Sequence, residues 1–182
     1  MSQFKIGIRL ESLGLSIRKA IFQAPKLGAQ GVMLDAVGDL SPQSLGSTGQ
    51  RELRNLLRSE NLDLCAVGCP LRRGLASPED PQRRLDHIRE VMQLSYDLGA
   101  KLVIIQSGKI PEATDSPEGI LFHDSLEALG QHGDRVGTVL ALETGLESGE
   151  AMASYLDQFD TGSLGVNFHP ANLLLHGFDI YE

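Results

Sequence analysis

The chain alternates short apolar runs with longer amphipathic ones, and this alternation constrains its fold more than any other feature. Six apolar runs are predicted strands, at residues 4–9, 32–35, 62–67, 102–106, 139–143 and 164–168. Each run is nearly continuous in apolar residues, as in parallel strands that are covered on both faces. Helical periodicity occupies residues 16–27, 50–58, 81–98 and 148–159 between these runs. Repeated strand and helix segments of this kind predict an α/β protein with a parallel sheet.

Such a sheet can be open and doubly wound, or it can belong to a (β/α) barrel. A doubly wound sheet usually has a glycine-rich phosphate loop after an early strand, and the segment GIRLESLGLS does not fit that pattern. A barrel of eight units typically needs ~250 residues, or about 31 per unit. The 182 residues of this chain therefore predict a parallel (β/α) barrel of TIM type with about six of its eight units present. We expect either a shortened form of a longer protein, or open edges that a partner chain or a smaller closed sheet covers.

Polar residues follow the ends of the predicted strands. In barrel enzymes the reactive residues lie at these carboxyl ends, so the side chains are expected to converge on one rim. The rim residues are Arg9 and Glu11, Asp35, residues 68–70, residues 106–108, residues 143–145, and His169 with Pro170.

Two rim residues are the strongest candidates for chemistry. Glu143 ends the run TVLALE, so its carboxylate is expected to emerge from the core, where it can bind a cation or act as a base. The alternative is a glutamate that caps a loop or pairs with an arginine. His169 ends the next strand, and imidazole suits zinc, manganese or cobalt beside a carboxylate. Taken alone, a histidine that is hydrogen-bonded within its loop is the simpler interpretation.

Four further residues are candidates for contact with a substrate. Arg9 and Gln106 stand at strand ends, and Asn172 and His176 follow His169 on the same loop. The last two side chains face either a substrate or solvent.

Three segments carry a resemblance to a known family. They are DLGAKLVIIQSG, GDRVGTVLALETG and LGVNFHPANLLLHG, which surround the fourth, fifth and sixth predicted strands. With them the chain resembles the sugar phosphate isomerase/epimerase superfamily, the xylose isomerase-like barrels, over nearly all of its length. The resemblance implies that residues 1–182 are a single domain, a partial barrel of this type. It also implies a divalent metal, which is manganese, cobalt, magnesium or zinc, and proton transfer along a sugar or polyol.

The resemblance also implies roles for particular residues. Glu143 matches a glutamate that is both a metal ligand and an acid/base, and Asn172 matches a residue that often contacts substrate. His169 stands where the family usually has an aspartate ligand, and Gln106 stands where a histidine is often found. The ligands expected on a seventh and an eighth strand have no counterpart here. Since a catalytic metal usually has three or more protein ligands, Glu143 and His169 predict a site that is incomplete in this chain.

The predicted function is that of a sugar or sugar-phosphate isomerase or epimerase with a small sugar or polyol as substrate. The alternatives are an inosose-dehydratase-like lyase, an endonuclease-IV-like nuclease, and a catalytically degenerate barrel that binds sugars or acts as a scaffold. Net charge is −8, and basic residues occur only in short groups such as Arg72-Arg73. This argues against a nucleic acid partner, which requires a concentrated positive surface.

Composition bears on location and assembly. The sequence contains no apolar run of membrane-spanning length, and MSQFKIGIRL lacks the layout of a signal peptide. Cys65 and Cys69 are too few for a disulfide framework. We therefore expect a cytoplasmic protein without a membrane partner. The open edges of a six-unit barrel predict a homo-oligomer or other self-association.

Overall fold

A computed structural model describes residues 4–181, and in this range six strands form one parallel sheet. The strands are β1 (Gly7–Arg9), β2 (Gly31–Asp35), β3 (Asp63–Gly68), β4 (Leu102–Ile105), β5 (Val139–Glu143) and β6 (Leu164–Asn167). They lie in chain order from β1 to β6, and every neighbouring pair is parallel. A doubly wound sheet instead places its first strand in the interior of the sheet. The predicted parallel α/β fold is confirmed, with strand bounds that differ from the predicted ones by no more than three residues.

Among the described residues, five α-helices lie between consecutive strands, and a sixth follows β6. They are α1 (Ile17–Gln23), α2 (Ser47–Ser59), α3 (Pro81–Leu98), α4 (Pro117–Val136), α5 (Gly149–Leu156) and α6 (Pro170–Leu175). The helical pattern at 16–27 is interrupted because Pro25 cannot continue the ladder, so α1 ends at Gln23 and a 3-10 turn follows at Pro25–Leu27. Ser148 caps α5, accepting a 3.2 Å hydrogen bond from the backbone N–H of Ala151.

Helix α4 has no predicted bounds, because glycines weaken its helical pattern. Gly119, Gly130 and Gly133 lie within it, and glycine costs about 1 kcal/mol relative to alanine in a helix interior. All three glycines allow other segments of the same chain to approach the helix closely. A Cβ on Gly133 would lie 2.5 Å from the carbonyl oxygen of Thr138, and a Cβ on Gly119 would lie 2.3 Å from that of Ala113. Close packing therefore takes precedence over helix propensity.

The buried apolar residues form one continuous core between the sheet and the helices. Val32, Leu34 and Leu140 from the strands and Phe122 from α4 are completely buried. Helix α3 contacts both α2 and α4, so consecutive helices are neighbours, as in the outer layer of a barrel. This arrangement brings the carboxyl ends of all six strands to one edge.

The two outermost strands carry exposed apolar side chains. Within residues 4–181, β1 pairs only with β2 and β6 only with β5. Ile6 beside β1 is 58% exposed, and Val166 on β6 and Phe168 beyond it are 45% and 58% exposed. Residues 4–6 of the first predicted run lie outside β1. None of the helices in the described range combines the length and the apolar character that crossing a membrane requires.

Candidate functional site

A cavity of about 310 Å³ opens at the carboxyl ends of the strands. Its wall comes from the loop between β3 and α3, the ends of β4 and β5, and helix α6 with the residue that follows it. Four of the predicted site residues line it together, namely Gln106, Glu143, Asn172 and His176. Arg9 and His169 are not among its lining residues. Arg72 and Arg73 also line the cavity; from the sequence this pair could hold an anion, but a solvated surface pair was the simpler interpretation.

The centre of the cavity wall is the pair Gln106 and Glu143. The register of β4 and β5 places Ile105 opposite Leu142, so the next residue of each strand emerges at the same level. Gln106 donates a hydrogen bond of 2.9 Å from Nε2 to Glu143 Oε1. The amide thus fixes the orientation of a carboxylate at the mouth of the sheet.

Thr144 ties the end of β5 to helix α6. Its hydroxyl accepts a 2.8 Å hydrogen bond from the backbone N–H of His169, and its carbonyl accepts one of 2.8 Å from Nδ2 of Asn172. Gly145 adopts a φ of +139°, and a Cβ there would lie 2.2 Å from Asn172 Nδ2. The chain therefore needs glycine at this point, and Asn172 is held against the strand end rather than free in solvent.

His169 is the N-cap of α6. Its Nδ1 accepts a 3.0 Å hydrogen bond from the backbone N–H of Asn172. In a neutral imidazole one nitrogen accepts while the other carries the proton, so this bond places the proton on Nε2. Neither ring nitrogen then has a free lone pair for a cation.

The described residues do not by themselves fit a divalent metal. Within residues 4–181 no group of three or more histidine, cysteine, aspartate or glutamate side chains is arranged to hold an ion. Glu143 is hydrogen-bonded to a neutral amide, and His169 is engaged as a cap. A catalytic metal site usually offers three protein ligands.

A second polar cluster joins the ends of β1 and β2. Arg9 forms an ion pair with the buried carboxylate of Asp35, whose backbone N–H donates a 2.7 Å hydrogen bond to Glu11. The hydrogen bond to Asp35 is the main reason that the pKa of Arg9 is raised; burial opposes this, and the charges of Asp35, Glu11 and Glu143 add to it. Arg9 is thus held by Asp35 at the strand ends and is not part of the cavity wall.

The profile of the xylose isomerase-like TIM barrel family matches residues 21–182. The chain belongs to this family. The match covers most of the chain, including α2 to α6 and the residues of the cavity wall. The resemblance inferred from the sequence is thereby confirmed. No curated protein matches the chain in sequence.

Solved structures show the same fold at low sequence identity. A xylose isomerase domain protein from Planctomyces limnophilus is 20% identical, with a TM-score of 0.79 over 96% of this chain and 64% of its own. D-psicose 3-epimerase with D-tagatose, from Clostridium cellulolyticum H10, is 16% identical, with a TM-score of 0.76 over 94% of this chain and 65% of its own.

A third structure was solved with a metal. It is a xylose isomerase-like TIM barrel protein from Mycobacterium smegmatis in complex with magnesium, 16% identical, with a TM-score of 0.72 over 94% of this chain and 66% of its own. The present chain thus spans just under two thirds of the length of these three proteins.

Proposed function

We propose that the cavity binds a small sugar or polyol and that the protein is an isomerase or epimerase. The observation that carries this proposal is the carboxylate of Glu143, which lies in the cavity wall at the end of β5 and is oriented by Gln106. A positioned carboxylate is a suitable general base for a C–H group next to a carbonyl. The family, and the relative solved with D-tagatose, support a sugar as the ligand.

The proposed reaction is a proton transfer in two steps. Glu143 removes a proton from the carbon next to the carbonyl; the electron pair of that C–H bond forms the carbon–carbon double bond of an enediolate, and the π pair of the carbonyl moves to its oxygen. The protonated carboxyl then returns a proton. Isomerisation requires that the hydroxyl proton on the carbon that lost its hydrogen moves to the enediolate oxygen; return of the proton to the former carbonyl carbon then leaves the carbonyl on its neighbour. Return of the proton to the opposite face of the original carbon, relayed through water, restores the carbonyl where it was and is epimerisation. The polar wall formed by Gln106, Asn172 and His176 would hold the hydroxyl groups.

No step of this proposal passes through a metal, because the described residues do not supply a set of ligands. A relative was solved with magnesium, so metal content belongs in the test. Manganese, cobalt, magnesium or zinc at one ion per chain after dialysis would show that the protein binds a metal, and loss of that ion in Glu143→Gln would identify Glu143 as one of its ligands.

The test is hydrogen exchange into sugars in D2O. The chain is incubated with a panel of ketoses and aldoses, with and without added metal, and NMR spectroscopy follows deuterium at the carbon next to the carbonyl. We expect exchange with at least one sugar, and Glu143→Gln should reduce it by about 10²–10⁴-fold, since that is the usual contribution of a general base. Glu127→Gln is the matched control, because Glu127 is exposed on α4.

The outcomes separate the candidate functions. Exchange that survives Glu143→Gln would contradict the role of Glu143. Binding of a sugar without any exchange would favour a degenerate sugar-binding barrel. Release of water with formation of a double bond would favour the dehydratase.

A further inference from the structure

We infer that the cavity contains an anion subsite made by Arg72 and Arg73, so that its ligand is a sugar with a phosphate or carboxylate group. This inference rests on the proposed function for the sugar part of the ligand. The anion part rests on the structure of the loop between β3 and α3, which carries both arginines into the cavity wall.

The charge of the cavity wall is opposite to that of the protein. Apart from His176, its charged lining residues are Arg72 and Arg73, which are positive, and Glu143, which is negative. The chain as a whole has a net charge of −8. A cleft whose charge differs in sign from its surroundings attracts the matching ligand locally. The two positive groups lie on a different element from Glu143, so an anion can bind them while a carbon atom approaches the base.

The loop that carries the arginines is fixed by backbone contacts with the end of β4. Leu75 is completely buried, and its N–H donates a 2.7 Å hydrogen bond to the carbonyl of Ser107. A Cβ on Gly74 would lie 2.7 Å from that carbonyl oxygen and 2.9 Å from the Cα of Gly108. The two glycines therefore allow the loop to lie directly against the strand end that also carries Gln106.

A third arginine stabilises the loop from helix α3. Arg84 donates hydrogen bonds to the carbonyls of Glu79 at 3.0 Å and Leu75 at 3.4 Å, and a further one to Ser77. Burial lowers the pKa of Arg84, and the charge of Arg73 lowers it further. Arg84 is thus occupied in holding the loop, and it adds to the positive charge beside the cavity. If Arg72 and Arg73 were only a solvated surface pair, their loop would not need to be held in place in this way.

The two arginines of the subsite differ in their partners. Arg73 forms an ion pair with Glu79, whose side chain is 66% exposed. Arg72 makes no ion pair within residues 4–181. We therefore assign Arg72 as the principal contact, and Arg73 as a second one that exchanges its exposed partner for the ligand. An exposed ion pair contributes only ~0–1 kcal/mol, so this exchange costs little.

Guanidinium groups match phosphate and carboxylate because their paired N–H groups form two parallel, charge-assisted hydrogen bonds. The cavity of about 310 Å³ is at the lower end of the range of ~300–1,000 Å³ for small-molecule sites. That volume suits one sugar with one anionic group.

The test compares matched ligands on the full chain by calorimetry. The probes are inorganic phosphate, D-fructose, D-fructose 6-phosphate and D-gluconate. The variants are Arg72→Gln, Arg73→Gln and, as control, Arg83→Gln, which removes the same charge from an exposed position on α3 outside the cavity wall. We expect fructose 6-phosphate or gluconate to bind about tenfold more tightly than fructose, because charge-assisted hydrogen bonds are about twice as strong as neutral ones. Arg72→Gln should remove most of that preference, Arg73→Gln part of it, and Arg83→Gln none.

Preference for fructose 6-phosphate identifies a phosphate ligand, and preference for gluconate identifies a carboxylate; either supports the subsite. Equal affinity for charged and neutral sugars, or a preference that survives Arg72→Gln, overturns it and leaves the proposed function intact. Inorganic phosphate tests the anion subsite separately from the proposed isomerase function, because its binding requires neither a sugar nor Glu143. Phosphate binding that Arg72→Gln abolishes supports the subsite even where no sugar exchanges hydrogen. Absence of phosphate binding at concentrations of tens of millimolar overturns it.

Discussion

Gln106 Nε2 lies 2.9 Å from Glu143 Oε1, and this pair joins the ends of two neighbouring strands in the wall of the cavity. A neutral amide donor can orient a carboxylate without neutralising its charge. The bond thereby directs Glu143, and a fixed direction is one property that a general base requires.

Removal of the amide should impair catalysis without unfolding the protein. Gln106→Leu eliminates the hydrogen bond to Glu143, so the base samples more orientations. We expect kcat to fall about tenfold, since correct positioning of the base contributes to the rate. The free energy of unfolding should change by less than about 0.5 kcal/mol, because Gln106 is exposed.

The control for this change is Gln93→Leu. Gln93 is also exposed, and its Nε2 donates to the carboxylate of Asp97 at 2.9 Å on helix α3, away from the site. Both variants therefore lose the same type of bond. An equal rate in Gln106→Leu and Gln93→Leu would show that the Gln106 contact does not orient the base.

His169 should contribute to stability through its cap on α6. His169→Ala removes the ring acceptor from the N–H of Asn172 and leaves that N–H only its 3.0 Å bond to the carbonyl of residue 169, so we expect the free energy of unfolding to fall by about 0.5–2 kcal/mol. His169→Asp should restore most of the loss, because a carboxylate accepts from the same N–H and is favourable at a helix N-terminus. Urea unfolding of the three proteins measures both effects. Equal stability of His169→Ala and the unchanged chain would mean that the ring does not act as a cap.

Glu147 should make the stability of the fold depend on pH. It is 9% exposed and accepts a hydrogen bond from the backbone N–H of Ile110. Burial is the main cause that raises its pKa, while the Ile110 bond and the charge of Lys109 oppose this. Below the ordinary pKa of 4.5 the carboxyl is protonated in both the folded and the unfolded state. The stability that comes from burying the neutral carboxyl is then fully present. As the pH rises through the higher pKa of the folded state, a charge must be buried, and that stability is lost.

Glu147→Gln keeps the acceptor oxygen but carries no charge at any pH. Its free energy of unfolding, relative to the unchanged chain, should therefore increase from about pH 4.5 upward. Urea unfolding between pH 4 and pH 8 measures this difference, with Glu127→Gln on the exposed face of α4 as the control. A difference that stays constant with pH, or that decreases as pH rises, would contradict the raised pKa.

Strands and strand-end residues could be predicted from the sequence because their signal is local. Continuous apolar runs predicted β2 and β5 closely, and Glu143 and Gln106 follow directly from where such runs end. Helix α4 lacked predicted bounds because glycines interrupt its helical pattern, and these glycines are needed for close contacts with other segments of the chain. The same limit applied to Arg72, whose position depends on the approach of Gly74 to Gly108. Contacts between residues far apart in sequence leave no periodic pattern.

The open edges of the sheet should lead the 182-residue chain to self-associate. In residues 4–181, β6 pairs only with β5, and Val166 and Phe168 at this edge are 45% and 58% exposed. An unpaired strand edge with apolar side chains is a template for pairing with another chain. We expect sedimentation velocity to show a mass that increases with protein concentration, or light scattering to show aggregates.

Lysines at this edge should weaken the association, because a charged edge strand resists pairing. Val166→Lys with Phe168→Lys is therefore expected to shift the chain toward the monomer. The control is Ile120→Lys with Leu27→Lys, which places lysines at two apolar positions that are 50% and 54% exposed but lie outside the sheet. If hydrophobic surface in general drives association, both double variants will shift equally, and the edge has no special role. If the unchanged chain is a monodisperse monomer that melts cooperatively, its six strands close their own core, and the expectation of self-association is wrong.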